Sequence, residues 1–250
     1  QKTAYEISLG LVGSEMCIRD RQLLAQEIAD HSHDDRVIRV SCSKKITNLG
    51  WSVFANKGFL SEYRRGKQVA SLDLRKCTAL QGSHNHQNAC AAYAAVRSLG
   101  LGPRSIEKAL GSFNGLSHRS QLVTEIGGVV FINDSKATNV DSAMKALATF
   151  SKVRWICGGE QKEEDISRLN NALTNVKKAY VIGANTEKFS SQISCEFENC
   201  NTMDIAVQKA FRDAQAGDTV LLAPAAASFD QYGSFEERGQ AFEHEIKKLV

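Results

Sequence analysis

Three polar clusters in this sequence hold side chains able to grip a charged ligand. NDSKATN (Asn133–Asn139) gathers a carboxylate, two hydroxyls, an ammonium group and amides into seven residues. GGEQKEED (Gly158–Asp165) sets Lys162 among acids, and PAAASFDQ (Pro224–Gln231) offers Ser228. Each also has a bland reading. Asp134, Ser135 and Asn139 suit turn and N-cap positions. Gly158-Gly159 suits a strand-exit turn with Lys162 on a solvated face, and Ser228 suits another cap. Lys136 is harder to dismiss, because a cap needs no cation. Each cluster follows an apolar, β-branched run, and ligands of open α/β sheets sit beyond the carboxyl ends of strands. Three such loops on one edge point to a shared site.

Other chemistries are excluded by missing patterns. Gly66-Lys67 lacks the spacing and the Ser/Thr of a phosphate loop, and no G-x-G-x-x-G follows a strand. No G-x-S-x-G elbow is present, which argues against a serine hydrolase. His84 and His86 in HNHQN have no carboxylate or cysteine at matching spacing, so no metal site is expected there.

The elements that must position the clusters follow from periodicity. Runs at Val129–Ile132, Val153–Cys157, Ala179–Ile182 and Thr219–Leu222 read as buried strands. Between them lie helical stripes, Val140/Ala143/Met144/Leu147 and Val207/Ala210/Phe211/Ala214, the second closed by Gly217. This alternation predicts a mostly parallel sheet covered by helices. Upstream, VIRVS (Val37–Ser41) reads as a strand and Phe59–Leu74 as a hairpin turning at Arg65-Gly66. Ala89, Ala92, Tyr93 and Val96 predict a helix stopping at Gly100. Pro103 opens another, with Ile106, Ala109, Leu110 and Phe113 on one face.

Composition is that of an ordinary globular protein: 250 residues, 42% hydrophobic and 24% charged, with a net charge of +3. So small an excess argues against a dedicated nucleic-acid or polybasic membrane binder. No apolar stretch is long enough to cross a membrane. Seven scattered cysteines, none in a Cys-x-x-Cys pair, suit reduced thiols in a cytosol. Residues 1–21 show no amphipathic period, strand alternation or signal-peptide pattern. Their run MCIRDR resembles a translated sequencing-adapter sequence, so native sequence is expected to begin near Gln22. From there, residues 22–115 carry a net +6 and residues 116–250 a net −3.

The clusters also carry a family likeness. GSHNHQNACAA, FNGLSHR, NDSKATN, GGEQK and PAAASFDQYGSFEERG resemble, in order and spacing, the Mur ligase family, in particular its D-glutamate-adding branch. The likeness runs from about Gln22 to Val250. It implies a C-terminal α/β domain with a Rossmann-like, mostly parallel sheet at 116–250. It implies the α/β remnant of a central ATPase domain at 22–115, with the UDP-binding domain, the phosphate loop and the Mg2+ ligands missing.

The implied reaction is ATP-dependent, cytoplasmic addition of D-glutamate to UDP-N-acetylmuramoyl-L-alanine through an acyl phosphate, for peptidoglycan synthesis, by a monomer. By the same likeness, Asn85 and Asn88 would hold adenine, and Arg119 and Asp134 the phosphates and ribose of ATP. Lys136, Thr138, Lys162, Ser228 and the backbone of Phe235 would hold D-glutamate, two cations and two hydroxyls being what a dicarboxylate needs. No catalytic residue and no role for His84 is implied. The truncated chain alone is expected to be inactive.

Two positions depart from the family pattern. Glu163 stands where a glycine usually follows the lysine, and Ala226 replaces a cysteine. Alternatives are another Mur-type or folylpolyglutamate-type amide ligase, whose members usually carry Tyr or His where this chain has SKAT, or a non-catalytic nucleotide-binding module. A pure interaction module would instead show an exposed apolar patch.

Overall fold

The computed structural model describes residues 11–12, 38–42, 44–47, 50–184 and 186–249. They fall into two compact units that divide between Asn114 and Gly115. Of the expected leader over 1–21, only the two-residue strand β1 (Leu11–Val12) is described, paired in parallel with β2 (Ile38–Ser41). The rest of that stretch, like Val37, lies outside the described residues.

The first unit continues with β3 (Trp51–Asn56), β4 (Phe59–Arg64) and β5 (Lys67–Asp73), giving a sheet ordered β1-β2-β3-β4-β5. β4 and β5 form the expected hairpin. Arg65 (φ 48°) and Gly66 (φ 78°) supply the two left-handed residues that match a tight turn to strand twist. Helix α1 (Ser83–Ser98) packs on β2 and β3, its small Ala89, Cys90 and Ala94 sharing one buried core with Val53 and Leu60. Within this core lies a buried carboxylate. Glu62 accepts from Tyr93 Oη at 2.8 Å, Arg97 Nε at 2.9 Å and Arg64 Nε at 2.9 Å. Helix α2 (Pro103–Gly111) is shorter than its apolar pattern predicts. Ile106 is buried, but Ala109 is exposed, and Phe113 lies past the helix end at 40% exposure. The helix stops at Gly111, so only one turn faces the core.

The second unit is a six-stranded sheet. Its strands are β6 (Gln121–Ile126), β7 (Val129–Asn133), β8 (Val153–Gly158), β9 (Val176–Ile182), β10 (Phe197–Asn201) and β11 (Thr219–Leu222). The order is β10-β9-β8-β11-β7-β6, parallel throughout except for the antiparallel edge strand β6. The predicted mostly parallel α/β architecture is therefore present.

Side chains alternate between two cores because successive strand residues point to opposite faces. Trp155, Cys157, Val181 and Leu221 meet Val140, Ala143 and Leu147 of α3 (Val140–Thr149). That core also takes Leu169 and Leu173 from the 3-10 segment Ser167–Asn175, and Phe189 from α4 (Thr186–Ser190). Ile156, Tyr180 and Val220 meet Val207 and Ala210 of α5 (Met203–Asp213), and Phe242 and Ile246 of α6 (Phe235–Lys247). Both sheet faces are thus covered, and the unit's polar loops collect at strand ends.

Candidate functional site

β8, β11 and β7 are adjacent and parallel, so their exit loops lie side by side at one sheet edge. Backbone bonds join the loops directly. Glu160 and Ala227 exchange two hydrogen bonds, at 3.0 and 2.8 Å, linking the loops after β8 and β11. Ala225 N donates to Ala137 O at 2.9 Å, linking the loops after β11 and β7. The structure therefore brings together the loops bearing Lys136, Thr138, Lys162 and Ser228.

Within them the candidate side chains differ in character. Lys136 is exposed, and its Nζ stands 3.8 Å from the centroid of the Phe235 ring, a cation–π contact that orients the ammonium group. Phe235 opens α6 behind the N-cap Ser234, whose hydroxyl accepts from Glu237 N, and its carbonyl accepts from Ser135 Oγ at 2.7 Å. Thr138 is half-buried and Ser228 is buried; the Ser228 carbonyl accepts from Gln231 and Tyr232 N. Lys162 is exposed, with no hydrogen-bond or ion-pair partner among the described residues. Asn139 meets its bland reading, capping α3 by accepting from Ser142 N at 2.9 Å.

Asp134 closes β7. Its backbone N donates to Leu222 O, and Ser120 Oγ approaches its carboxylate at 3.5 Å. Burial pushes the carboxyl up to about 6, against the opposing pull of hydrogen bonds from Ser120 and the positive charge of Arg119. Arg119 is exposed and sits on a tight turn closed by its N–H to Leu116 O. That turn is held by His118. Its carbonyl accepts from Lys136 N, its ring edge meets Phe235, and its Nδ1 lies 3.0 Å from the Asn133 amide nitrogen.

Asn85 and Asn88 belong to the first unit, near the start of α1. Asn85 is buried, donating to Gln81 O at 2.8 Å, and Asn88 is exposed. Gln87 between them is 3% exposed, and neither atom of its side-chain amide has a partner among the described residues. No group of three or more His, Cys, Asp or Glu able to hold a metal occurs among the described residues.

Sequence reasoning missed the residues that hold the loops. Arg238, 1% exposed, donates from Nε to Ser135 Oγ (3.1 Å), from Nη2 to Ser135 O (3.0 Å), and from Nη1 to the carbonyls of Ala226 (3.1 Å) and Ala227 (2.9 Å). It thereby fastens the loops after β7 and β11 to α6. Asp230 accepts from Ala184 N at 2.9 Å and draws in the loop after β9. Gly159 (φ 128°) and Gly183 (φ 96°) touch backbone to backbone; a Cβ on Gly183 would meet Gly159 Cα at 2.7 Å. Arg238 stands in a helix as an apparently solvated charge, so its own neighbourhood in sequence gave no sign of burial.

Residues 118–226 match the family model "Mur ligase, glutamate ligase domain". The second unit carries that domain. The chain is similar to UDP-N-acetylmuramoylalanine–D-glutamate ligase of Ruegeria pomeroyi, 59% identical over 227 residues, covering 91% of this chain and 49% of the relative. The enzyme of that name from Roseobacter denitrificans is 60% identical over 227 residues, with the same two coverages, 91% and 49%. The chain thus spans about half the length of the curated relatives it matches. Among solved structures, UDP-N-acetylmuramate-alanine ligase from Thermotoga maritima shares the fold at TM-score 0.59 and 15% identity, covering 92% of this chain and 56% of that one. E. coli FolC in complex with DHPP and ADP does so at TM-score 0.59 and 22% identity, covering 90% of this chain and 51% of that one.

Proposed function

We propose that this chain serves an ATP-dependent ligase that joins D-glutamate to UDP-N-acetylmuramoyl-L-alanine through an acyl phosphate, in cytoplasmic peptidoglycan synthesis. The observation that carries the reading is the pair of cations on neighbouring loops: Lys136 oriented by Phe235, and Lys162 without a partner among the described residues. Two such groups beside Thr138 and Ser228 suit the two carboxylates of the incoming amino acid. Lys136, Thr138, Lys162, Ser228 and the Phe235 backbone would bind D-glutamate.

Asp134 and Arg119 would meet the ribose and phosphates of ATP, and Asn85 and Asn88 its adenine. The donor set suits a nucleotide: Asp134 is an acceptor for sugar hydroxyls, and Arg119 an exposed guanidinium for phosphate. Bound ATP supplies the phosphoryl group that activates the carboxylate. Mg2+ would accompany the ATP and neutralise its phosphates, held by residues of the full-length protein outside this chain, which spans 49% of its relative's length. The working protein is proposed to be a monomer, with no nucleic-acid or membrane partner; no described helix is long and apolar enough to cross a membrane.

The test is phosphate release from ATP by the full-length protein bearing these residues, with the UDP-linked acceptor and a panel of amino acids. D-glutamate should be strongly preferred over L-glutamate and L-alanine. Equal use of the three, or none of D-glutamate, overturns the reading. The 250-residue chain alone should release no phosphate, lacking a phosphate loop to hold the γ-phosphate.

A further inference from the structure

The loop after β8 is fastened at two points, with Lys162 between them. At the near end Glu160 is bonded to Ala227 through both backbone groups. At the far end the carboxylate of Glu163 reaches the start of α3, where its Oε1 accepts from Val140 N at 3.3 Å. Val140 is the first residue of that helix, immediately after Asn139, and the helix begins two residues beyond Thr138. Inside the loop Gln161 Nε2 donates to Glu163 O at 2.6 Å, folding the segment around Lys162. A second tie in the same direction, Arg168 to Asp141 at 2.6 Å, has both side chains more than half exposed and so contributes little.

An N-terminal amide of a helix is an orphan donor, and a carboxylate there is favoured by the helix dipole as well as by the hydrogen bond. Glycine, the residue the family pattern carries at this position, has no side chain to make that tie and would leave the exposed Arg168–Asp141 pair as the loop's side-chain link to α3. We propose that Glu163 is a positioning residue for the acceptor amino acid. It clamps the Lys162 loop to the amino end of α3 and so keeps Lys162 on the side of the sheet edge where Lys136 and Thr138 lie. The inference deepens the D-glutamate reading above and rests on it for the identity of the ligand; the clamp itself rests on the contacts just given.

Hydrogen exchange on the chain without ligand tests the clamp. Glu163→Gly should speed exchange in the peptides covering 159–166 and 140–143 by about two- to five-fold, the worth of a carboxylate at a helix N-terminus. Glu163→Gln keeps an acceptor oxygen and should recover part of that protection. Unchanged exchange in both peptides, or a uniform rise that extends to α5 and β10, overturns the clamp.

Its role is read in the full-length ligase. Glu163→Gly should raise the KM for D-glutamate by a similar factor while kcat and the KM for ATP hold, and Glu163→Gln should lie between. A fall in kcat with both KM values unchanged, or an equal rise in both, overturns positioning. If wild-type protein ignores D-glutamate, the functional reading fails, and the ligand-free exchange still decides the clamp.

Discussion

Arg238 and Ser135, 103 residues apart in sequence, are joined by two hydrogen bonds, from Nε to the hydroxyl at 3.1 Å and from Nη2 to the carbonyl at 3.0 Å. With Nη1 on the carbonyls of Ala226 and Ala227, the buried guanidinium serves acceptors in two loops at once. Its partners are a hydroxyl and three carbonyls rather than a carboxylate, and burial lowers its pKa to about 10, still cationic at neutral pH. Lysine has no planar fork to reproduce that pattern. Arg238→Lys should therefore destabilise the second unit by about 2–4 kcal/mol, the cost of several buried acceptors left unpaired. Urea denaturation followed by Trp155 fluorescence checks this, and a loss under about 0.5 kcal/mol would contradict it.

Asp134 gives a pH signature. Its folded pKa of about 6 lies above the ordinary 3.8, so its ionised form is disfavoured in the folded state. That cost is full above pH 6 and gone below about 3.8, so this group's effect makes the second unit more stable as pH falls through the window. Asp134→Asn should abolish that dependence and leave the variant relatively more stable at pH 8. Thermal melts across pH 4–8 would show the two curves converging at the acid end.

Glu62 has the opposite sign in the first unit. Burial pushes its carboxyl up, but the bonds from Arg97, Tyr93 and Arg64 outweigh it and hold the pKa below 4.5. Its stabilisation is present above 4.5 and is lost as pH falls through the folded value. Glu62→Gln should cost about 1.5–3 kcal/mol at pH 7, as expected for hydrogen bonds to a charged group. The variant should also lose the wild type's acid-dependent decline, read by hydrogen exchange of α1.

On the proposed assignment, Lys136 and Lys162 should separate from Arg119 and Asp134 in kinetics. Lys162→Ala or Lys136→Met in the full-length ligase is expected to weaken D-glutamate use by about 2–5 kcal/mol, with ATP affinity little changed. Phe235→Leu, which removes the ring under Lys136 but not the ammonium group, should cost only about 0.5–2 kcal/mol. Loss of ATP binding in Lys162→Ala would place that residue on the wrong side of the reaction.

What could be read from sequence was local or periodic. Arg65-Gly66 marked the hairpin, Gly100 the end of α1, and the β-branched runs the strands β7, β8, β9 and β11, because each needs only its neighbours. β3, β6 and β10 went unread: WSVFAN has no alternation, while QLVTEI and FENCN are half-exposed edge strands with mixed polarity. The loops of the site were legible as unusual clusters. Their supports were not, since Arg238, Asp230 and His118 act on residues far along the chain and resemble ordinary surface charges when read in place. Asn139 satisfied its bland reading as a cap, while Lys136, three residues earlier, lies against the Phe235 ring.

The contact between Gly159 and Gly183 divides the loop after β8 into two kinds of position. At its root no atom beyond the backbone fits: a Cβ on Gly159 would collide with Ala227 O, and one on Gly183 with Asp230 Oδ2 at 2.5 Å. A few residues on, Gln161 to Glu164 reach solvent or half-buried space, where a side chain can be exchanged without moving the strands. The distance between loops is thus written in hydrogens rather than side chains and tolerates no edit, whereas the tip is open to revision. A lineage could replace glycine by glutamate after Lys162 and keep the gauge of the cleft, because the gauge was never set there.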